Sequence, residues 1–281
     1  TSESTKTPES QMNRESSFAK LRRTVGQLIL SIIASLPLTM ACADTQHQPL
    51  VAAAADLQFA LSEIALQYHT ATGNSVRLVF GSSGNFYRQI HEGAPFELFL
   101  SADESYVSQL ASAGKTLDDG ALYALGRIVL ITPTDSPLTA DSELLGLQQA
   151  LSRGEIGKFA IANPQHAPYG QRAAEALQHA GLWGALQGKL VLGENVAQAA
   201  QFATSGNAQG GIIAYSLALS PALAKQSHFA LIPPDWHQPL RQRMVLLNNA
   251  SEAGAAFYAF LQQPDARKIL RTYGFSLPDE D

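Results

Sequence analysis

From Leu50 onward, short apolar runs alternate with segments whose apolar residues recur at helical spacing, and this restricts the chain to layered α/β folds. Residues 51–55 (VAAAA) read as a buried strand, after which Leu57, Ala60, Leu61, Ile64, Ala65 and Tyr68 recur as a helix face that stops at Gly73. Val76, Leu78 and Phe80 alternate as a strand entering Gly81-Ser82-Ser83-Gly84, and a helix carrying Phe86 and Ile90 ends near Gly93. A strand over 96–100 precedes a helix capped by Asp103 and closed by Gly114. Further strands are predicted at 127–132, 159–162, 190–192, 211–215 and 244–247. Helices are predicted at 142–151, 170–180, 196–203, 252–262 and 265–273. The pattern implies helical layers around a mostly parallel sheet. Extended, breaker-bearing stretches at 125–133 and 233–244 are candidate crossings between two lobes, a topology suited to enclosing a ligand by hinge bending.

The first 43 residues have a different character. A polar stretch over 1–11 precedes Met12; Arg14, Lys20, Arg22 and Arg23 then lead into an uncharged run from Thr24 to Ala43. A basic region, an apolar region and the small-residue ending Ala41-Cys42-Ala43 make a secretory signal peptide cleaved after Ala43. A run of about 20 residues also suits a membrane anchor, although Pro37 and the ending favour cleavage. Lipidation at Cys42 is the secondary expectation, because Thr39 stands where a lipoprotein signal normally has Leu. The leader holds five of the 19 Lys and Arg and three of the 24 Asp and Glu, which leaves 14 against 21, a net charge of −7. An acidic, secreted protein of that kind has no electrostatic footprint for nucleic acid or an anionic membrane. Without Cys42 no cysteine remains, so neither a disulfide nor a thiolate metal site is expected.

Three loops join predicted strand ends to helix starts: Ala54-Ala55-Asp56, Gly81-Ser82-Ser83-Gly84-Asn85 and Ala167-Pro168-Tyr169-Gly170. In open α/β sheets that edge binds ligands, and the free N–H groups of a helix start favour anions. Gly and Ser let the backbone approach closely and add neutral donors, although an ordinary Ser-capped helix start reads the same way. Enzyme signatures are weak: Gly84 directly after Ser83 breaks a G-x-S-x-G elbow, and the seven His residues show no paired metal spacing.

The stretches AAAADLQFAL (52–61), FGSSGNFYRQIHEGAPFELFLSADESYVSQL (80–110), IANPQHAPYGQRAAEALQHAGLW (161–183), GENVAQA (193–199) and RTYGF (271–275) resemble the periplasmic molybdate-binding proteins of ABC importers, the ModA family. The resemblance implies a two-lobed type II periplasmic-binding-protein fold, α/β with mixed sheets, flanking helices and a hinge. Lobe 1 then comprises 44–127 and 237–281, and lobe 2 comprises 128–236. It implies a tetrahedral oxyanion, molybdate or tungstate, held in the cleft by neutral hydrogen bonds, with no further cofactor and no direct ligand to a metal cation. The implied partner is a membrane permease, and a monomer is expected. The family's contacts fall on Asp56, Ser83, Tyr169 and Val196, with Ala55, Ser82, Asn85, Ala214 and Tyr215 as secondary candidates.

Asp56 departs from the family's Ser, and Ala214 from a frequent Tyr. An ionised carboxylate beside a dianion is repulsive, so Asp56 is expected to turn back and cap its own helix, leaving main-chain donors for the anion. Otherwise Asp56 is protonated or the ligand is not a simple dianion. The Tyr169 phenol either donates into the cleft or forms part of its wall. Rival readings are a binder for another solute, a ligand-sensing module and a secreted hydrolase; the last needs a nucleophile with a positioned His, and only His166 lies close to these loops.

Overall fold

The computed structural model describes residues 47–278 and Thr1; the cleavage position after Ala43 and Cys42 lie outside the described residues. The chain first lays down β1 (Leu50–Ala54), β2 (Arg77–Gly81), β3 (Leu98–Ser101) and β4 (Ala121–Gly126). It crosses through Arg127 into β5 (Ile128–Pro133), β6 (Phe159–Ala162), β7 (Leu190–Gly193), β8 (Gly211–Ala214) and β9 (Ser227–Leu231), then returns as β10 (Leu240–Leu246). Two five-stranded sheets result, ordered β2-β1-β3-β10-β4 and β7-β6-β8-β5-β9. β10 runs antiparallel to β3 and β4, and β5 antiparallel to β8 and β9, while the other pairs are parallel. Periodicity alone suggested mostly parallel sheets; each sheet is in fact mixed, because the crossing strand enters against the direction of its neighbours.

Local chemistry explains the elements. β1 is buried and sits between β2 and β3, so its residues form a continuous apolar run. In α1 (Gln58–Thr72) the buried Ala60, Leu61, Ile64 and Tyr68 form one stripe, and Gly73 ends the helix with φ 75° while donating its N–H to the His69 carbonyl. α2 (Ser83–His91) starts directly after β2, and α3 (Glu104–Ser112) is capped by Asp103, which accepts from the Ser105 N–H at 2.8 Å. The helix predicted from 142 begins three residues later as α4 (Leu145–Ser152), because the Asp141 carboxylate holds a turn by accepting from the N–H groups of Glu143, Leu145 and Gly146. In the second lobe follow α5 (Pro168–His179), α6 (Trp183–Leu186), α7 (Val196–Thr204), α8 (Tyr215–Ala218) and α9 (Pro221–Ala224). α10 (Glu252–Leu261) and α11 (Pro264–Thr272) close the chain on the first sheet, where Phe257, Phe260 and Leu270 join the core of Leu57, Leu61 and Ile64.

β4 and β9 were not expected as strands. β4 carries Leu122, Tyr123 and Ala124 without clean alternation, and it forms because β10 offers a free edge. β9 pairs along the length of β5, and its Phe229 packs on Tyr215.

Candidate functional site

The parallel strands of both sheets aim their C-terminal ends at one cleft. Across it lies a narrow cavity of about 10 Å³, lined by Ala54, Ala55, Asp56, Gly81, Ser82, Ser83 and Ala102 from one side and Ala167, Pro168, Tyr169 and Val196 from the other. The structure thus brings together Asp56, Ser83, Tyr169 and Val196, with Ala55 and Ser82 beside them. Asn85, Ala214 and Tyr215 are not among the lining residues.

Each lining loop opens a helix. Ser83 is the first residue of α2, Tyr169 the second of α5 and Val196 the first of α7, positions whose N–H groups have no intrahelical acceptor. Pro168 suits the start of α5 because it has no N–H to satisfy. Asn195 caps α7 by accepting from the N–H groups of Ala197 and Gln198, which leaves that of Val196 outside the cap. The Ser83 hydroxyl accepts from the Ala102 N–H at 2.9 Å, so its own hydrogen is free to be donated. Helix starts of this kind favour negative charge. Among the described residues that line the cavity none is Lys, Arg or His, and Asp56 is the sole carboxylate.

Asp56 corrects the sequence reading. It is the second residue of a 3₁₀ turn, Ala55–Leu57, which has no side-chain cap. Its side chain crosses the cleft instead: Oδ2 accepts from the Tyr169 hydroxyl at 2.8 Å and from Gln242 Nε2 at 2.6 Å. Gln242 Nε2 also approaches the Tyr169 hydroxyl at 3.1 Å, and Gln242 Oε1 accepts from Tyr123 at 2.7 Å. The physical reason is reach. A buried carboxylate needs strong donors, and β10 and α5 supply them in addition to the nearby N–H groups of its own turn. Oδ1 remains buried without a hydrogen-bond partner. Burial raises the Asp56 pKa to about 6, against the opposing hydrogen bonds from Gln242 and Tyr169 and the nearby N–H groups of Asp56 and Leu57. Burial and the adjoining carboxyl also push the Tyr169 and Tyr123 phenols well above their usual range. The Tyr169 phenol is therefore committed to Asp56 rather than free to donate to a ligand.

Three of the secondary candidates lie outside the cavity lining. Asn85 donates to Glu194 across the cleft mouth and accepts from Arg88, which uses its amide as a clasp. Ala214 is buried at the end of β8, beside Ile128 in β5, where the chain crosses between sheets. The Tyr215 ring packs on Phe229 and against Gly274, so tightly that a Cβ on Gly274 would lie 2.5 Å from it.

Sequence reasoning missed the contacts that join the lobes. The Gly84 N–H donates to the His166 carbonyl at 2.9 Å, and Ser82 Oγ lies 2.9 Å from His166 Nδ1. The Ser216 hydroxyl donates to the Asp56 carbonyl at 2.8 Å, and Arg172 pairs with Asp103 at 3.7 Å. Gln242 had a legible signal: alternation places it on the same face as Leu240 and Met244, a polar side chain at an inward position.

The profile of the family described as bacterial extracellular solute-binding protein matches residues 49–276. The molybdate-binding protein ModA of Rhodobacter capsulatus is 35% identical over 254 residues, covering 89% of this chain and 95% of that protein. ModA of Azotobacter vinelandii is 34% identical, covering 90% and 98%. The solved Azotobacter vinelandii periplasmic molybdate-binding protein superposes with a TM-score of 0.75 at 29% identity, covering 82% of this chain and 100% of that one. The chain belongs to the bacterial extracellular solute-binding proteins, in the family of the molybdate-binding protein ModA.

Proposed function

We propose that this protein is the extracytoplasmic solute-binding component of an ABC importer, and that it closes its two lobes on a tetrahedral oxyanion, molybdate or tungstate. The observation that carries this reading is the convergence of three helix starts and the Ser83 hydroxyl on one buried cavity with no cationic lining residue. Such donors satisfy an oxyanion by charge-assisted bonds of about 1.5–3 kcal/mol each. The relatives are named for molybdate, and the structural relative is named as periplasmic. Working monomeric in the periplasm, the closed form presents a surface composed of both lobes to a membrane permease. The hydrolase reading has one observation in its favour, the row Ser82, His166 and Glu194. In that row Glu194 stands 3.6 Å from His166 Nε2, too far for the hydrogen bond that orients a general base, and Ser82 and His166 face each other across the lobes.

The test is thermal unfolding of the leader-free protein with molybdate, tungstate, sulfate and phosphate titrated separately. A ligand at 100 times its dissociation constant adds about 2.7 kcal/mol of stability. Stabilisation by molybdate or tungstate and none by sulfate is expected; stabilisation by none of them overturns the reading.

A further inference from the structure

Asp56 lines the cavity, and its Oδ1 is buried without a hydrogen-bond partner. Oδ2 already holds the Tyr169 hydroxyl and Gln242 Nε2, so the remaining oxygen is the one left for a ligand. A bare carboxylate oxygen has nothing to offer an oxyanion: both are acceptors only, and both are negative. Placing one proton between them turns the contact into a donor–acceptor pair. We propose that Asp56 meets the bound oxyanion as a neutral carboxylic acid donating from Oδ1–H, so that each ligand is taken up together with one proton.

Among the described residues no charged group lines the cavity beside Asp56, and burial outweighs the hydrogen bonds that favour its ionised form. β4 supplies Tyr123 and α5 supplies Tyr169, both phenols kept protonated by burial. β10 supplies the uncharged Gln242, and α8 supplies Ser216, which binds the Asp56 backbone carbonyl. The ionisable pair His166 and Glu194 lies beyond Ser82 at the cleft mouth, and neither lines the cavity. Burial outweighs the opposing hydrogen bonds and moves the carboxyl toward neutrality, to a pKa of about 6. An arriving dianion pushes it further in the same direction, since like charge nearby disfavours ionisation. Molybdate is a weak base, so the shared proton belongs to Asp56 and comes from solvent. This inference rests on the oxyanion reading above and deepens it.

Calorimetric titration of the leader-free protein with sodium molybdate, in buffers of different ionisation enthalpy between about pH 5 and about pH 8.5, counts the protons taken up. Near-complete uptake of one proton per molybdate is expected above the carboxyl's own pKa, with affinity falling about tenfold per pH unit there. Asp56→Asn supplies the matching variant: its amide oxygen can accept from Tyr169 and Gln242 while its NH₂ replaces Oδ1–H. Asp56→Asn should bind with the low-pH affinity of the unaltered protein, without proton uptake and with a flat pH profile. Molybdate binding to the unaltered protein without proton uptake overturns the inference alone, and this needs no variant. Absence of binding to either protein at every pH overturns it together with the oxyanion reading.

Discussion

Gly84 is the position where closure can be blocked without touching the cavity. A Cβ built there would lie 2.6 Å from the His166 carbonyl oxygen and 3.0 Å from its Cα, both on the opposite lobe, and 2.8 Å from the Tyr106 hydroxyl within its own lobe. The Tyr106 contact is the far end of a side chain and can shift, whereas the His166 backbone cannot yield without moving the lobe. Gly84→Ala therefore penalises the closed form specifically. The hydrogen bond from Gly84 to His166 contributes about 0.5–1.5 kcal/mol, and forcing a methyl group into the packed contact costs about 1–3 kcal/mol. Together these weaken binding by about 1.5–4.5 kcal/mol, or about tenfold to about two-thousandfold in Kd. Within an open lobe the same change replaces a helical glycine and stabilises by up to about 1 kcal/mol. Molybdate titration calorimetry and ligand-free denaturation, run on Gly84→Ala and on Gly184→Ala, where a Cβ meets nothing within 4 Å, separate the two effects. Binding by Gly84→Ala within about threefold of the unaltered protein, less than 1 kcal/mol, would refute the argument that liganded closure uses this contact.

Ser83→Ala removes the free hydroxyl donor and strands the Ala102 N–H, so molybdate affinity should fall by about 1.5–3 kcal/mol, about ten- to a hundredfold, in the same calorimetric assay. The raised pKa of Asp56 makes the folded form the tighter proton binder. Its contribution to stability is therefore fully present below the ordinary carboxylate value and is lost as pH rises through about 6. Urea denaturation of the unliganded protein should accordingly show about 3 kcal/mol less stability at pH 8 than a protein with Asp56 fully protonated, and this slope should be absent in Asp56→Asn. Glu97 has the opposite sign. Burial opposes its ionisation, but hydrogen bonds from the Ser251 hydroxyl and N–H and from His47 prevail and hold its pKa below the usual range. Stability from Glu97 is present above the ordinary carboxylate value and lost as pH falls through the lowered one, and Glu97→Gln should cost about 1–3 kcal/mol in urea denaturation at pH 7.

The layered α/β class was legible because β1, β3, β5 and β6 are almost wholly buried and so read as uninterrupted apolar runs, while helices such as α1 carry one apolar stripe. β4 and β9 were not, because their residues are only partly buried and their extended form comes from neighbours 119 and about 100 residues away in sequence. The mixed direction of each sheet followed from the two crossings, which periodicity marks as extended stretches without marking their direction.

The site divides along the same line. Main-chain donors are local properties of a helix start, so the loops holding Ser83 and Tyr169 stood out in the residues, while the individual contacts, Val196 among them, were assigned by the family resemblance. The partners of Asp56 did not stand out, because a carboxyl near a helix start is a good cap on local grounds, and local grounds are all that a run of residues provides. Its actual partners are 113 and 186 residues distant and come from α5 and β10. Those partners decide its charge state: Tyr169 and Gln242 both donate to Oδ2, neither supplies a positive charge, and the cost of burial is left to raise the pKa. A serine at this position would give the ligand a donor at any pH. The carboxyl gives one only when protonated, and the same proton that burial favours on Asp56 in the folded protein makes the cleft able to hold an anion.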